Sequence, residues 1–285
     1  MLQQTPVVRV EPRWRAWLDR WPGPAELAAA STADVLRAWD RLGYPRRALR
    51  LQQCAVAVVE RHDGVLPVDG AALLALPGIG TYTAAAVRAF AHGVRSVVVD
   101  TNVRRVLARA LDGTALPPPH LSAAELGRAD AVVPLDDVTA TRWNAAVMEL
   151  GALVCTARSP RCDVCPIADL CAWRAAGSPA DELAAVRRRQ AWDGTDRQAR
   201  GRVMALLRAA DHPVPADVVA RAWPDADQRA RVLAGLLADG LLVQVDPDPP
   251  RAPGEDRETN GAGATAPGVA YCLPGHATAD PVAHR

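Results

Sequence analysis

The sequence predicts a mainly α chain that ends in a small α+β unit. Three observations carry this reading. From Thr5 to about Trp173, apolar residues return at helical spacing, punctuated by Gly and Pro. From about Thr195 to Pro274, three more helical stretches precede two short strand-like ones, LLVQV and VAYCLP. At the end of the first region, four of the six cysteines crowd into residues 155–171, too dense a run for ordinary core residues.

In chain order, residues 33–42, 46–61, 82–92 and 122–133 each read as a helix. The clearest is TNVRRVLARAL, where Val103, Val106, Leu107, Ala110 and Leu111 share one face. Trp21-Pro22-Gly23-Pro24, Asp63-Gly64 and Pro117-Pro118-Pro119 separate the helices. VRSVVVD (94–100) is β-branched and reads equally as a strand or as a buried connector. Residues 176–194, with Gly177-Ser178-Pro179 and Arg187-Arg188-Arg189, read as a linker with some helix. Residues 195–275 follow the outline of a winged helix, three helices and a two-stranded hairpin. The stretch 246–268 is rich in Pro, Gly and charge and is expected to be a disordered wing, and 276–285 a loose tail.

Cys155, Cys162, Cys165 and Cys171 are spaced C-x6-C-x2-C-x5-C behind the helical stretch WNAAVMELGALVC. Thiolates are soft ligands that favour iron–sulfur clusters and zinc. Two disulfides compete with a metal, but nothing else in the sequence looks secreted. Structural zinc sites usually pair two short C-x2-C elbows, and only Cys162 and Cys165 form one here. The longer spacings favour a [4Fe–4S] cluster.

At 285 residues the chain has room for one to three domains. It opens without a charged, apolar leader, and no stretch approaches the roughly 18 apolar residues of a membrane span. A soluble cytoplasmic protein is expected, which suits reduced thiolates. The net charge of +1 excludes little, but every residue in the Lys+Arg count of 33 is arginine. Without lysine there is no side-chain amine for Schiff-base chemistry.

Leu76-Pro77-Gly78-Ile79-Gly80 lies between two helical stretches. Gly78 and Gly80 allow a tight turn that exposes successive amide N–H groups at a helix start, an arrangement able to hold a nucleic-acid phosphate without reading a base. Twenty residues on comes Asp100-Thr101-Asn102, where helix capping is the ordinary role for the aspartate.

A glycine hairpin, an aspartate about twenty residues later and a four-cysteine run about fifty residues beyond it together resemble the helix–hairpin–helix DNA glycosylases of the endonuclease III type, over residues 1–175. Endonuclease III-like enzymes cut the strand with a lysine shortly after the hairpin; here Tyr82 stands at that place. Met1-Leu2-Gln3-Gln4-Thr5, Leu42-Gly43-Tyr44 and MELGALVC resemble the MutY-type adenine DNA glycosylases, which lack the lysine and excise adenine mispaired with 8-oxoguanine.

The resemblance implies a helix–hairpin–helix glycosylase fold at 1–175 with a [4Fe–4S] loop at 155–171. It implies that Asp100, supported by Asn102, stabilises the cationic sugar formed as the N-glycosidic bond breaks. Tyr82 would line the adenine pocket, Gln4 would be a wedge, and Tyr44 would insert beside 8-oxoguanine. Arg46 and Arg47, with Arg50, Arg88, Arg104 and Arg105, are candidate phosphate contacts. The implied partner is double-stranded DNA carrying an 8-oxoguanine:adenine or guanine:adenine mispair, bound by a monomer with no membrane role.

Two departures from the family pattern stand out. The family's general acid is a glutamate two residues before the methionine of M-L-Q-Q-T, and that methionine is Met1 here. Either the native chain is longer and active, which the other intact motifs favour, or it is truncated and excises little. The C-terminal region also lacks the α/β pattern of a Nudix-like domain. An endonuclease III-like glycosylase and lyase, or a DNA-binding protein without catalysis, are the alternatives.

Overall fold

The structure, a computed structural model, describes residues 1–2, 5–186, 192–245 and 268–275, and these are mainly helical, as the periodicity predicts. Packing divides the chain into two units. One joins Met1–Val65 to Gln190–Arg285, and the other is Leu66–Arg189.

The first unit begins with α1 (Val7–Arg20), α2 (Pro24–Ala29), α3 (Thr32–Trp39) and, after a 3₁₀ turn at Asp40–Leu42, α4 (Arg46–His62). Ser31 caps α3 by accepting from the Asp34 amide, and Val35, Leu36 and Trp39 bury its inner face. Trp17 of α1 meets Trp21 and Trp39 edge-on, with ring centroids 4.7 and 6.0 Å away. The unit continues with α11 (Asp196–Ala209), β1 (Val214–Pro215), α12 (Ala216–Ala222), α13 (Ala226–Ala238), β2 (Val243–Val245) and β3 (Ala270–Cys272). The strands form an antiparallel sheet in the order β1-β3-β2. The winged-helix outline therefore holds, with three strands in place of the expected two. The sequence hid β1 because it is two residues long and ends in a proline, which gives no strand signal. Most of the expected wing, 246–267, and the tail, 276–285, lie outside the described residues.

These C-terminal elements share one hydrophobic core with the N-terminal helices. Leu207 of α11, Leu236 of α13, Leu241 and Leu273 belong to the same buried cluster as Trp17, Leu36 and Trp39. Leu207→Ala is expected to cost about 2–5 kcal/mol. In urea, the fluorescence of the tryptophans in α1 and α3 should report that loss together with the far-UV signal.

The second unit holds α5 (Gly70–Leu74), α6 (Thr81–Phe90), α7 (Thr101–Ala110), α8 (Ala123–Val132), α9 (Asp137–Leu153) and α10 (Ala172–Ala175). Short 3₁₀ turns at Cys162–Val164, Ala168–Leu170 and Ala184–Val186 complete it. Residues 94–100 form neither helix nor strand but a buried connector. The fully buried Asn144 of α9 takes the place of a neighbouring strand. Its Oδ1 accepts from the Val98 amide at 3.3 Å, and its Nδ2 donates to the Ser96 carbonyl at 2.9 Å. Pinned in this way, the connector delivers Asp100 to the start of α7.

Candidate active site and metal centre

The glycine hairpin joins α5 to α6. Gly78 has φ +77, a left-handed turn that a side chain would strain. Gly80 is the N-cap of α6 and brings no side-chain acceptor, and the first turn of α6 carries no acidic residue. Asp69 does cap α5, accepting from the Ala72 amide. The hairpin therefore leaves the N-terminal amides of α6 without the side-chain capping that α5 has.

Asp100 is the N-cap of α7, as its position suggested. Its Oδ1 accepts from the backbone amides of Asn102 at 2.8 Å and Val103 at 2.7 Å. Its Oδ2 accepts from Asn102 Nδ2 at 2.9 Å. Capping fixes the position of the carboxylate at the start of α7. Tyr82, on the first turn of α6, has its phenol pushed up, by burial first and then by the charge of Asp100. Asp100 and Asn102 are thus brought together, and the charge of Asp100 is felt at Tyr82.

Three arginines of α7, Arg104, Arg105 and Arg109, point inward, which sequence reasoning missed. Arg105 donates through Nη2 to Asn102 Oδ1 at 2.8 Å and to the Gly151 carbonyl at 2.6 Å, and through Nε to the Cys155 carbonyl at 2.6 Å. Arg104 pairs with Glu125 and donates to the Pro118 and His120 carbonyls. Glu125 also closes a capping box with Ser122 at the start of α8. Arg104 and Arg105 spend their donors within the unit. Their inward direction lay in the helical phase, since Arg105 and Arg109 stand one turn apart beside the apolar face of α7. Gly151 of α9 lies directly against Asn102: a Cβ there would sit 2.7 Å from Asn102 Cβ and 2.8 Å from its carbonyl oxygen.

Cys155, Cys162, Cys165 and Cys171 line one open pocket, together with Arg109, Ile167 and Trp173. None of the six cysteines is paired in a disulfide. Arg109 Nη1 lies 3.3 Å from Cys155 Sγ, and the same side chain donates to the Thr156 and Ala157 carbonyls. The Cys162 thiol is pushed up, by burial first and then by the charges of the other three cysteines. Cations between the four sulfurs would reverse that effect. Among the described residues no three His, Cys, Asp or Glu side chains converge tightly enough for a single metal ion. The ligand spacing, with Cys162 and Cys165 as the one C-x2-C elbow, fits a multi-iron cluster better than one zinc.

Arg88 lies on α6, and the other anticipated residues fall in the first unit or outside the described residues. Tyr44 is exposed and has φ +47, in the left-handed region. Arg46 pairs with Asp239 at 3.1 Å. Arg47 donates to the Met1 carbonyl at 2.7 Å and lies over the Trp39 ring. Gln4 lies outside the described residues.

The hairpin, the capped aspartate and the four-cysteine loop on one helical scaffold define an iron–sulfur DNA glycosylase of base-excision repair. Residues 1–128 match the HhH-GPD superfamily of base excision DNA repair proteins, and 155–171 match the iron-sulfur binding domain of endonuclease III. Adenine DNA glycosylase of Mycolicibacterium smegmatis is 53% identical over 246 residues, covering 86% of this chain and 82% of that protein. That of Homo sapiens is 42% identical over 173 residues, 60% of this chain and 31% of that protein. This chain therefore belongs to the adenine DNA glycosylase family, hydrolases of N-glycosyl bonds. Its cofactor is a [4Fe–4S] cluster, and the four-cysteine loop is the matching segment.

Among solved structures, a thermostable thymine-DNA glycosylase superposes with a TM-score of 0.55 at 26% identity, over 61% of this chain and 80% of that one. A trapped endonuclease III–DNA covalent intermediate superposes with a TM-score of 0.54 at 22% identity, over 62% and 82%, which shows the common fold. Enzymes named for different bases share this scaffold, so the choice of base must rest on side chains. No helix among the described residues is long and apolar enough to cross a membrane.

Proposed function

We propose that this protein hydrolyses the N-glycosidic bond of adenine mispaired with 8-oxoguanine or guanine in double-stranded DNA, without cutting the strand. The observation that carries this reading is Tyr82 at the place of the lyase lysine, in a chain with no lysine. A glycosylase that cleaves the strand through a lysine Schiff base needs the amine that is missing here.

In this reading the target adenine leaves the stack and enters a pocket walled by Tyr82. Loss of the base leaves positive charge on the sugar, and the fixed Asp100 carboxylate stabilises it electrostatically. Asn102 holds the second carboxylate oxygen, which keeps the charge in place. Gly78, Gly80 and the uncapped start of α6 grip a phosphate. Gln4 wedges the gap, Tyr44 meets the opposite base, and Arg46 adds a backbone contact, whereas Arg47 is turned inward onto Trp39 and the Met1 carbonyl. Cys155, Cys162, Cys165 and Cys171 hold the [4Fe–4S] cluster, which when bound supplies a metal-linked brace for the loop. Residues 1–175 are the catalytic module and 195–275 the accessory one, acting together as a cytoplasmic monomer.

The test is single-turnover release of adenine from an 8-oxoguanine:adenine duplex, run with this chain and with one continued upstream of Met1. Release by either chain, with no borohydride-trapped adduct, is expected. A trapped adduct, or binding without release by both chains, would overturn the reading. Release confined to the longer chain would place the acid that protonates the departing base upstream.

A further inference from the structure

The C-terminal module brings an arginine and a tryptophan to Tyr44. The Arg197 guanidinium lies 5.0 Å from the centroid of the Tyr44 ring and 5.3 Å from that of Trp192. Arg197 stands on the first turn of α11. Trp192 is set by the turn leading into that helix, where its carbonyl accepts from the hydroxyl of the N-cap Thr195 at 2.7 Å. No described carboxylate pairs with Arg197, so its charge faces the two rings.

Tyr44 is itself held in an uncommon conformation. Bulky residues rarely adopt φ +47, and such outliers persist only where their surroundings enforce them. The enforcement is visible on both sides of the loop. Trp39 Nε1 donates to the Gly43 carbonyl at 2.9 Å, Arg9 to the Arg41 carbonyl at 2.6 Å, and Thr5 to the Leu42 carbonyl at 3.2 Å. The result is an aromatic side chain left 47% exposed on a fastened loop, with a cation against its ring.

Among the described residues, the rest of the module is poorly suited to reading DNA. The helix a winged helix commonly lays on a duplex would be α13, but it opens with Asp225 and Asp227. Its arginines are occupied: Arg229 donates to the Trp223 and Pro224 carbonyls, and Arg231 pairs with Asp196 at 3.5 Å. What the module offers instead is the start of α11.

We propose that Arg197 and Trp192 are positioning residues that extend Tyr44 into a stacking platform for the unpaired base opposite the excised adenine. The proposal rests on the reading of Tyr44 given above and adds the residues that support it. A guanidinium against the ring fixes the tyrosine's orientation, and the tryptophan backs the guanidinium. The module thus assists recognition from the side, through three exposed side chains, while its helices serve the core shared with α1 and α3.

The experiment measures binding of the full chain to a labelled duplex bearing a tetrahydrofuran abasic analogue opposite 8-oxoguanine, which needs no catalysis. Tyr44→Ala and Arg197→Ala should each weaken binding roughly tenfold, the scale of one lost base-stacking contact, and Trp192→Ala about threefold. The double variant Tyr44→Ala/Arg197→Ala should bind no worse than Tyr44→Ala alone, because both act through one ring. Arg197 and Trp192 are exposed, so circular dichroism should show an unchanged fold. If Tyr44→Ala weakens binding and Arg197→Ala does not, the inference fails and the reading of Tyr44 stands. Additive losses would equally overturn it, since Arg197 would then act apart from Tyr44. A Tyr44→Ala variant that binds like the parent removes the reading of Tyr44 and the inference with it.

Discussion

Asp100→Asn is expected to lower the single-turnover rate of adenine release by roughly 10²- to 10³-fold, the scale for removing one preorganised electrostatic group. The substitution is chosen because it separates the residue's two roles. Asparagine caps helices as well as aspartate does, so one amide oxygen can still accept from the Asn102 and Val103 amides. What disappears is the charge. A smaller penalty arises at Asn102, whose Nδ2 donates to Asp100 Oδ2. The new amide nitrogen would face that donor, and Asn102 cannot simply flip because Arg105 holds its Oδ1. Thermal unfolding should therefore show a modest loss while the release rate collapses. A release rate within threefold of the parent, in a variant that folds and binds DNA, would remove Asp100 from the chemistry.

The sequence was readable where the signal is local. Ligand spacing in the cysteine loop, the paired glycines of the hairpin and an aspartate before a helix all lie within a few residues of each other. Each structural consequence, a turn, a cap or a shared pocket, is local as well. The unreadable parts depend on partners far along the chain. Residues 94–100 read as strand or connector because their backbone partner, Asn144, lies more than forty residues away. Arg105 read as a DNA contact because an arginine in a sequence defaults to solvent. Its acceptors, the carbonyls of Gly151 and Cys155, become visible only when α7 and α9 pack. Likewise, periodicity marked the C-terminal helices as amphipathic but could not say that their apolar faces meet Trp17 and Trp39.

Gly151→Ala should destabilise the protein by about 1–3 kcal/mol and slow adenine release at least tenfold, although alanine is the better helix former. The sign is set by two opposed effects. Replacing glycine by alanine inside a helix gains up to about 1 kcal/mol from propensity alone. At Gly151 the new methyl would stand 2.7 Å from Asn102 Cβ, 2.8 Å from its carbonyl oxygen and 2.9 Å from its carbonyl carbon. Backbone atoms cannot swing aside as a flexible side chain can, so α7 or α9 has to move. Asn102 is the first residue displaced, and with it go the bond to Asp100 Oδ2 and the acceptor of Arg105. Gly127 in α8 provides the control, since a Cβ there meets nothing within 4 Å. Gly127→Ala should leave release unchanged and raise stability slightly. Urea unfolding and single-turnover release on both variants decide the matter. Equal behaviour of the two would show that the contact between α9 and Asn102 sets neither the stability nor the geometry of the site.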